Sequence, residues 1–210
     1  MLRILGKASS INVRKVLWTC AELNLSYEHE EWGSGFQSTE TEAFKALNPN
    51  ALVPVLLDDD FVLWESNAIC RYLATQYQHQ QKELLPESVR QRALVEQWMD
   101  WQACELNPAW RYAFMALVRQ HPDFTDPAAI TQSAQQWQQK LQILDATLAQ
   151  TGAYICGDDF TLADIVLGLS LNRWLQTPLS DRLELPHLAA YQQRLAQRPA
   201  AQQFCFNGIA

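Results

Sequence analysis

A few polar residues at the start of a predicted helix, close to a proline, can bind a peptide-like anion. Glu65, Ser66 and Asn67 precede an apolar pattern at helical spacing and supply N-cap chemistry. A helix N-terminus offers unpaired N–H groups and a partial positive charge, which stabilise a carboxylate by roughly 0.3–1 kcal/mol. Val53 precedes Pro54 and is therefore biased toward extended backbone, which can pair with a short ligand as an added strand does.

The residues around this predicted site indicate a hairpin followed by a helix. Pro54 opens the apolar run Val55–Leu57, where a strand tolerates proline because this is its first position. The acidic turn Asp58–Asp60 links that run to Phe61–Trp64, which predicts an antiparallel pair. The preceding predicted elements are a strand at Leu2–Leu5, a helix with apolar residues from Val13 to Leu23, a strand at Tyr27–Trp32 and a short helix at Thr41–Leu47. The predicted order is therefore βαβαββα.

The second part of the sequence predicts helices only. A polar segment at 79–88 is expected to be a linker, and residues 89–210 follow helical apolar spacing. Pro108 should kink or split the first long helix, and Thr161 with Asp164 has the spacing of a capping box. The residues of the first long helix expected to face inward are Leu94, Trp98, Trp101, Leu106, Trp110, Phe114 and Leu117.

Composition excludes several classes of partner. The net charge of −7 argues against nucleic acid or an anionic membrane surface as the main partner. No apolar run approaches the roughly 20 residues of a membrane span, and the N-terminus lacks a signal-peptide core, so a cytoplasmic protein is expected. The five cysteines are widely spread, without a C-x-x-C or a zinc-like Cys/His spacing, so no metal site is predicted.

Two motifs, NPNALVPVL and LWESNAICRYLA, occur in order and resemble the glutathione-binding half of cytosolic glutathione S-transferases. The resemblance extends over nearly the whole chain. It implies an α/β thioredoxin-like N-terminal domain (1–78), a linker (79–88) and an all-α C-terminal domain (89–210). It also implies a cis Val53–Pro54 bond, and a Glu65–Ser66 pair that holds the γ-glutamyl end of glutathione.

The resemblance places the chemistry in the loop after the first strand. Catalysis there requires the thiolate of glutathione, and a free thiol has a pKa of about 8.5. Lowering the pKa of a thiol by one unit requires about 1.4 kcal/mol of stabilisation of the thiolate. A hydrogen bond from a hydroxyl or amide donor contributes about this much. The candidates are Ser9, Ser10 and Asn12, in that order, the alternative for each being a cap or turn role. With neither tyrosine nor cysteine in this loop, the chain resembles the serine-type, theta-like bacterial members.

Further candidates lie outside this loop. Arg14 and Lys7 can favour the thiolate or bind the glycyl carboxylate, or be ordinary surface cations. The resemblance implies a homodimer in which Asp100 reaches the γ-glutamyl amine bound to the other subunit. Residues expected to line an electrophile site between the domains, or else to belong to the core, are Trp110, Arg111, Tyr112 and Phe114, with Arg111 available for an anionic substrate.

The predicted function is conjugation of glutathione, as co-substrate, to small electrophiles in detoxification. Two alternatives remain open at this point. One is a glutathione-dependent disulfide reductase or peroxidase without its own catalytic cysteine, for which Asn12 is the feature of interest. The other is a non-enzymatic interaction module that uses the same fold.

Overall fold

The first part of the chain forms a mixed four-stranded sheet with three helices. The computed structural model describes residues 1–77 and 83–209. The elements of the first part are β1 (Leu2–Leu5), α1 (Ile11–Glu22), β2 (Tyr27–Glu30), α2 (Glu42–Leu47), β3 (Val55–Asp58), β4 (Phe61–Trp64) and α3 (Ser66–Gln76). The strand order is β2-β1-β3-β4, with β1 parallel to β2 and antiparallel to β3. This is the predicted βαβαββα arrangement.

The predicted hairpin is present, and the second strand is shorter than predicted. β3 pairs with β4 so that Val55 lies opposite Trp64. β2 ends at Glu30 and not at Trp32, because the chain turns away through Gly33, whose φ is +101°. Trp32 retains a single bridge to Gln37.

The second part of the chain is helical throughout the residues described. Its helices are α4 (Val89–Trp101), α5 (Asn107–Leu117), α6 (Pro127–Thr151), α7 (Leu162–Gln176), α8 (Pro186–Ala196) and α9 (Pro199–Phe204). A π-helical segment at Gln102–Leu106, the π-turn, joins α4 to α5. Pro108 lies in the first turn of α5 and has no N–H to donate to the preceding turn, so the break predicted at this proline is the π-turn just before it. None of the helices described is long and apolar enough to cross a bilayer.

The inward face of α4 differs from the prediction. Leu94 is 50% exposed, so its expected place in the core is wrong. Val95 and Met99 are buried instead, and the π-turn continues this stripe with Gln102 and Leu106. The stripe is displaced by one residue from the predicted one, because the spacing of leucines and tryptophans alone does not fix the rotation of a helix.

The predicted linker is anchored over its second half. Residues 78–82 lie outside the described part of the chain. Leu84 and Leu85 are buried, and the N–H of Leu162 at the start of α7 donates to the Leu84 carbonyl at 2.9 Å. Leu84 and Leu85 therefore pack against the helical part of the chain, whereas Glu83, Glu87 and Ser88 are exposed. The linker at 79–88 stays a prediction.

The predicted capping box at the start of α7 is present and serves as a buried hub. The Asp164 carboxylate accepts hydrogen bonds from the N–H of Thr161 (2.8 Å), the N–H of Ile155 (3.0 Å) and the Tyr191 hydroxyl (2.8 Å). Asp164 is fully buried. The carboxylate thus joins α7 to the preceding loop and to α8.

Helix α1 is tied to the last segment of the chain at both of its ends. Arg198 donates to both carboxylate oxygens of Glu22, at 2.9 and 2.6 Å. Arg14 donates to the carbonyl of Ile209 at 3.0 Å, and Asn172 donates to the same oxygen at 2.6 Å. Arg14 is 1% exposed, so the interpretation of this residue as an ordinary surface cation is wrong.

Candidate active site

Gly6 brings two distant parts of the predicted site together. Its φ is +148°, and a Cβ at this position would lie 2.5 Å from Val13 Cγ2 and 2.9 Å from Val53 Cβ. Any larger residue would push the start of α1 away from the Val53–Pro54 peptide. The loop that carries the candidate donors and the backbone expected to bind glutathione are therefore neighbours.

The backbone at Val53 is placed for pairing with a ligand. The Val53–Pro54 bond is cis. The preceding carbonyl, that of Leu52, is held by the Asn48 side chain at 2.7 Å. By contrast, neither the N–H nor the carbonyl of Val53 bonds to any residue within 1–77 or 83–209. Both groups are thus available to an extended ligand.

The start of α3 lies next to this backbone and has free N–H groups. Glu65 precedes the helix with φ of +74°, a left-handed conformation that is uncommon outside glycine and often marks functional sites. No side chain caps the helix. Asn67, expected to contribute to the cap, instead accepts from Lys15 Nζ at 3.1 Å and donates to the Met99 carbonyl at 3.0 Å. Ser66 is buried at the helix start, whereas Glu65 is exposed.

The three candidate donors have no partners within the described part of the chain. Ser10 is the N-cap residue of α1, yet its hydroxyl makes no capping hydrogen bond. The loop is fixed through its backbone, since the Ser10 N–H donates to the Lys7 carbonyl at 3.0 Å and the Ala8 N–H to Glu31 at 3.2 Å. The side chains of Ser9, Ser10 and Asn12 are half-buried. The loop backbone therefore fixes the position of these three side chains, whose polar groups make no hydrogen bond within the described residues.

The cysteine on α3 is unsuited to thiolate chemistry. Cys70 is fully buried on α3 and accepts a hydrogen bond from Thr19 Oγ1 at 3.3 Å. Burial raises the pKa of the Cys70 thiol to about 11, against the opposing influence of Lys15. The described residues contain no group of three or more His, Cys, Asp or Glu side chains placed to hold a metal ion.

Asp100 lies beside α3 of its own chain. Its carboxylate accepts a hydrogen bond from Arg71, and Asp100 is the exposed member of the pair. The preceding residue, Met99, binds Asn67 at the start of the same helix.

The aromatic candidates for the electrophile site cluster around a cation that the sequence did not single out. Trp110 and Phe114 stack edge to face at 5.4 Å. The guanidinium carbon of Arg173, on α7, lies 4.5 Å from the Trp110 ring centre and 4.0 Å from that of Phe114. Arg111, by contrast, is exposed. Tyr112 accepts a hydrogen bond from the N–H of Asp126, in the loop before α6.

A signal for Arg173 does exist in the sequence. It is a single cation in the otherwise apolar α7 pattern of Leu167, Leu171 and Trp174. A charge in such a position is rare unless it is paired or used.

A buried polar network joins α1 to the start of α3, to the π-turn and to the start of α5. Lys15 donates to Asn67 on α3 and to Gln102 in the π-turn, the latter at 2.9 Å. Gln102 donates in turn to Asn107 at 2.8 Å, and Asn107 accepts from Trp110 Nε1 at 3.0 Å. Burial lowers the pKa of Lys15 to about 8. The network thus connects the proposed glutathione end of the site to its aromatic end.

Two protein-family models match the chain and show which family it belongs to. Residues 9–76 match the glutathione S-transferase N-terminal domain, and residues 107–199 match the glutathione S-transferase C-terminal domain. The chain belongs to the glutathione S-transferase family. As a member of this family it is a transferase, with the thioredoxin-like and helical domains that the resemblance implied.

Individual glutathione S-transferases are similar over almost the full length. Glutathione S-transferase GstB of Escherichia coli (strain K12) is 40% identical over 205 residues, 97% of each chain. Glutathione S-transferase 3 of Zea mays is 32% identical, covering 96% of this chain and 92% of its own. A theta class glutathione S-transferase from Xanthomonas axonopodis pv. citri, solved with glutathione bound, superposes with a TM-score of 0.89 at 41% identity, covering 97% and 96%. These relatives do not favour the reductase or interaction-module alternatives.

Proposed function

We propose that this glutathione transferase binds glutathione as its co-substrate along Val53 and the start of α3, and transfers the glutathione sulfur to small electrophiles. The observation that carries the proposal is the unpaired backbone of Val53, which lies next to the uncapped start of α3. The absence of a side chain at Gly6 brings this backbone close to the donor loop. The glutathione-bound relative from Xanthomonas supports the same ligand.

Each part of glutathione has a proposed partner. The cysteinyl backbone pairs with the N–H and carbonyl of Val53, next to Pro54, as an added strand. The γ-glutamyl carboxylate is bound by Ser66 and the free N–H groups at the α3 N-terminus. Glu65 and Asp100, the latter from the second copy in a homodimer, attract the γ-glutamyl amine, and Arg71 orients Asp100.

The bound thiol is proposed to ionise because Ser9, Ser10 or Asn12 donates a hydrogen bond to the thiolate. The thiolate then attacks the electrophilic carbon, forming a C–S bond while the leaving group departs with its bonding electrons. The protein contributes mainly positioning and stabilisation of the sulfur anion. Trp110, Arg111 and Phe114 are the proposed residues of the electrophile site.

Dimerisation is supported by apolar side chains on the edge strand and on α4. β4 has β3 as its neighbour and forms one edge of the sheet. The exposed apolar residues on these two elements are Phe61, Val62, Trp64, Val89 and Leu94. Exposed apolar side chains on an edge strand favour association. The family relationship supports a cytoplasmic location for the dimer.

The donor assignment is tested by changing Ser9, Ser10 and Asn12 to Ala one at a time and titrating the bound thiolate by its ultraviolet absorbance. Loss of a hydrogen bond to a charged group costs about 1.5–3 kcal/mol, so the pKa of bound glutathione should rise by about one to two units in at least one variant. kcat/KM at neutral pH should fall in parallel.

The matched control is Ser180→Ala, an exposed serine in the loop after α7. It should leave the pKa of the bound thiol and kcat/KM unchanged. An unaltered pKa in all three loop variants would remove the donor assignment. Absence of glutathione binding to the unmodified protein, measured by calorimetry, would overturn the proposed function itself.

A further inference from the structure

The side chain of Arg173 is enclosed without a counter-ion. It is 4% exposed, and its Nε is buried with no hydrogen-bond partner. Its guanidinium carbon lies 4.0 and 4.5 Å from the centres of two aromatic rings, and no carboxylate of residues 1–77 or 83–209 forms an ion pair with it. Buried cations are normally paired with an anion, because desolvation of the charge is otherwise uncompensated.

Two further arginines lie close to Arg173 and carry the same charge. The guanidinium carbon of Arg119 is 5.4 Å from the centre of the Phe114 ring, the ring that Arg173 also contacts. Arg14, on α1, is nearly fully buried. Burial, followed by repulsion from Arg14 and Arg119, lowers the pKa of Arg173 to about 9. Arg119 and Arg173 therefore bring two positive charges to the same aromatic ring, that of Phe114.

The arginine cluster is located next to the proposed sulfur donors. Arg14 follows Ser10 by one helical turn, and its N–H donates to the Ser10 carbonyl at 2.9 Å. The Trp110 ring, which lies against Arg173, donates its Nε1–H to Asn107. Asn107 also accepts from Gln102 and so belongs to the buried polar network. Through Gln102 and Lys15 this network reaches Asn67 at the start of α3, so Arg173 and Trp110 are linked to the proposed glutathione end of the site.

We propose that the electrophile of this transferase carries a carboxylate, which Arg173 binds together with Arg119 while Phe114 and Trp110 contact the apolar part of the molecule. The planar guanidinium matches a carboxylate with two parallel hydrogen bonds. This inference rests on the proposed function. It replaces Arg111, which is exposed, by Arg173 as the residue that recognises an anionic substrate.

The reaction balances without a further reactant. The glutathione thiolate forms a C–S bond to a carbon that bears a halide, and the carbon–halogen bond breaks with its electron pair on the leaving halide. The carboxylate is unchanged, and the proton of the glutathione thiol passes to solvent when the thiolate forms. Arg173 acts by orienting the substrate.

The test compares para-bromomethylbenzoate with its methyl ester, which has the same reactive carbon but no charge. Initial rates of conjugate formation are divided by the uncatalysed rates with glutathione alone. We expect the enzyme to favour the carboxylate by about tenfold or more in kcat/KM, the size of one charge-assisted hydrogen bond. Arg173→Met should bring this preference close to one, and Arg173→Lys should retain part of it.

Arg182→Met is the matched control. Arg182 also stacks on a tryptophan, Trp174, at 5.1 Å, but lies beyond the end of α7. Its removal should leave the preference for the carboxylate as in the unmodified protein. Loss of the preference in this variant as well would overturn the assignment to Arg173.

A second measurement needs no variant, and so does not depend on the folding of Arg173→Met. The unreactive para-methylbenzoate should inhibit the unmodified enzyme competitively with the electrophile and not with glutathione, about tenfold more strongly than its methyl ester. Equal rates for the acid and the ester, with glutathione bound, would overturn this inference and leave the proposed function standing. No conjugation of either compound and no binding of glutathione would overturn both.

Discussion

Single residues show how this protein accommodates buried charge. Lys15 and Arg173 are both nearly enclosed, and an uncompensated buried charge costs several kcal/mol. Lys15 is compensated by two amide oxygens, those of Asn67 and Gln102, whereas Arg173 has the faces of two aromatic rings. Neither has a carboxylate as a hydrogen-bond partner in the described segments. The two cations are therefore compensated by amide dipoles in one case and by aromatic faces in the other.

Asp164 illustrates the opposite case, a buried anion that is fully used by the fold. We expect Asp164→Ala to lower the free energy of unfolding by about 3 kcal/mol or more, because the N–H groups of Thr161 and Ile155 and the Tyr191 hydroxyl lose a charged acceptor. Urea denaturation followed by circular dichroism measures the change.

The control for this prediction is Asp159→Ala, an exposed aspartate in the loop before α7. It should change the free energy of unfolding by less than about 0.5 kcal/mol. If Asp164→Ala proved equally mild, the carboxylate would not be the hub that joins α7 to α8.

At the scale of elements, the π-turn determines which side chains between α4 and α5 face the interior. It places Gln102 inward between α1 and α7, where Gln102 accepts from Lys15 and donates to Ser170 at 2.9 Å. π-helical segments interrupt the regular ladder and are frequent at functional sites. The same interruption leads into α5, whose first turn carries Asn107, the residue that fixes Trp110.

The network through the π-turn should have a measurable pH dependence. The pKa of Lys15 is lowered by burial to about 8, whereas an unfolded lysine has a pKa of about 10.4. Between these two pH values the unfolded chain binds more protons, so this residue makes stability rise with pH. We expect the free energy of unfolding, relative to Lys15→Met, to increase by about 3 kcal/mol from pH 8 to about pH 10.5.

Chemical denaturation of both proteins at a series of pH values tests this prediction. Lys45→Met provides the comparison, because Lys45 is a surface lysine paired with Glu40 at 2.9 Å. The difference between the unmodified protein and this variant should show no such rise. A constant or falling difference for Lys15→Met would show that the buried amine is not destabilised in its charged form.

The elements that the sequence predicted well are those with local signals. The β3–β4 hairpin follows from two apolar runs around an acidic turn, and the start of α7 from the spacing of Thr161 and Asp164. The rotation of α4 was not predictable, because Leu94 and Val95 are equally apolar and only the packed partner decides between them. Arg173 was missed for a related reason: its contacts, Trp110 and Phe114, lie on a helix far away in the sequence.

At the scale of the whole molecule, the exposed apolar residues of β4 and α4 favour contact with a second copy of the chain. We expect the unmodified protein to be a dimer by sedimentation or light scattering, and Leu94→Glu to weaken association at least about tenfold, because a buried unpaired charge is costly. Leu94 is half-exposed in the single chain.

Ile143→Glu is the matched control for the dimer. Ile143 is a similarly exposed apolar residue, but it lies on α6. This variant should stay dimeric at the same concentrations. A monomeric unmodified protein, or an equal effect of both variants, would exclude the surface around Leu94 as the interface.

The attachment of α1 to the last segment has a consequence for synthesis on the ribosome. Arg14 and Glu22, on α1, bind Ile209 and Arg198, which follow them in the chain by 195 and 176 residues and are therefore made much later. N-terminal domains generally fold first during translation. Here the nascent sheet domain has to wait, with two charged side chains of its first helix lacking these partners, until translation reaches the segment from Arg198 to Ile209. Only then does α1, the helix that follows the donor loop, gain its contacts with Arg198 and Ile209.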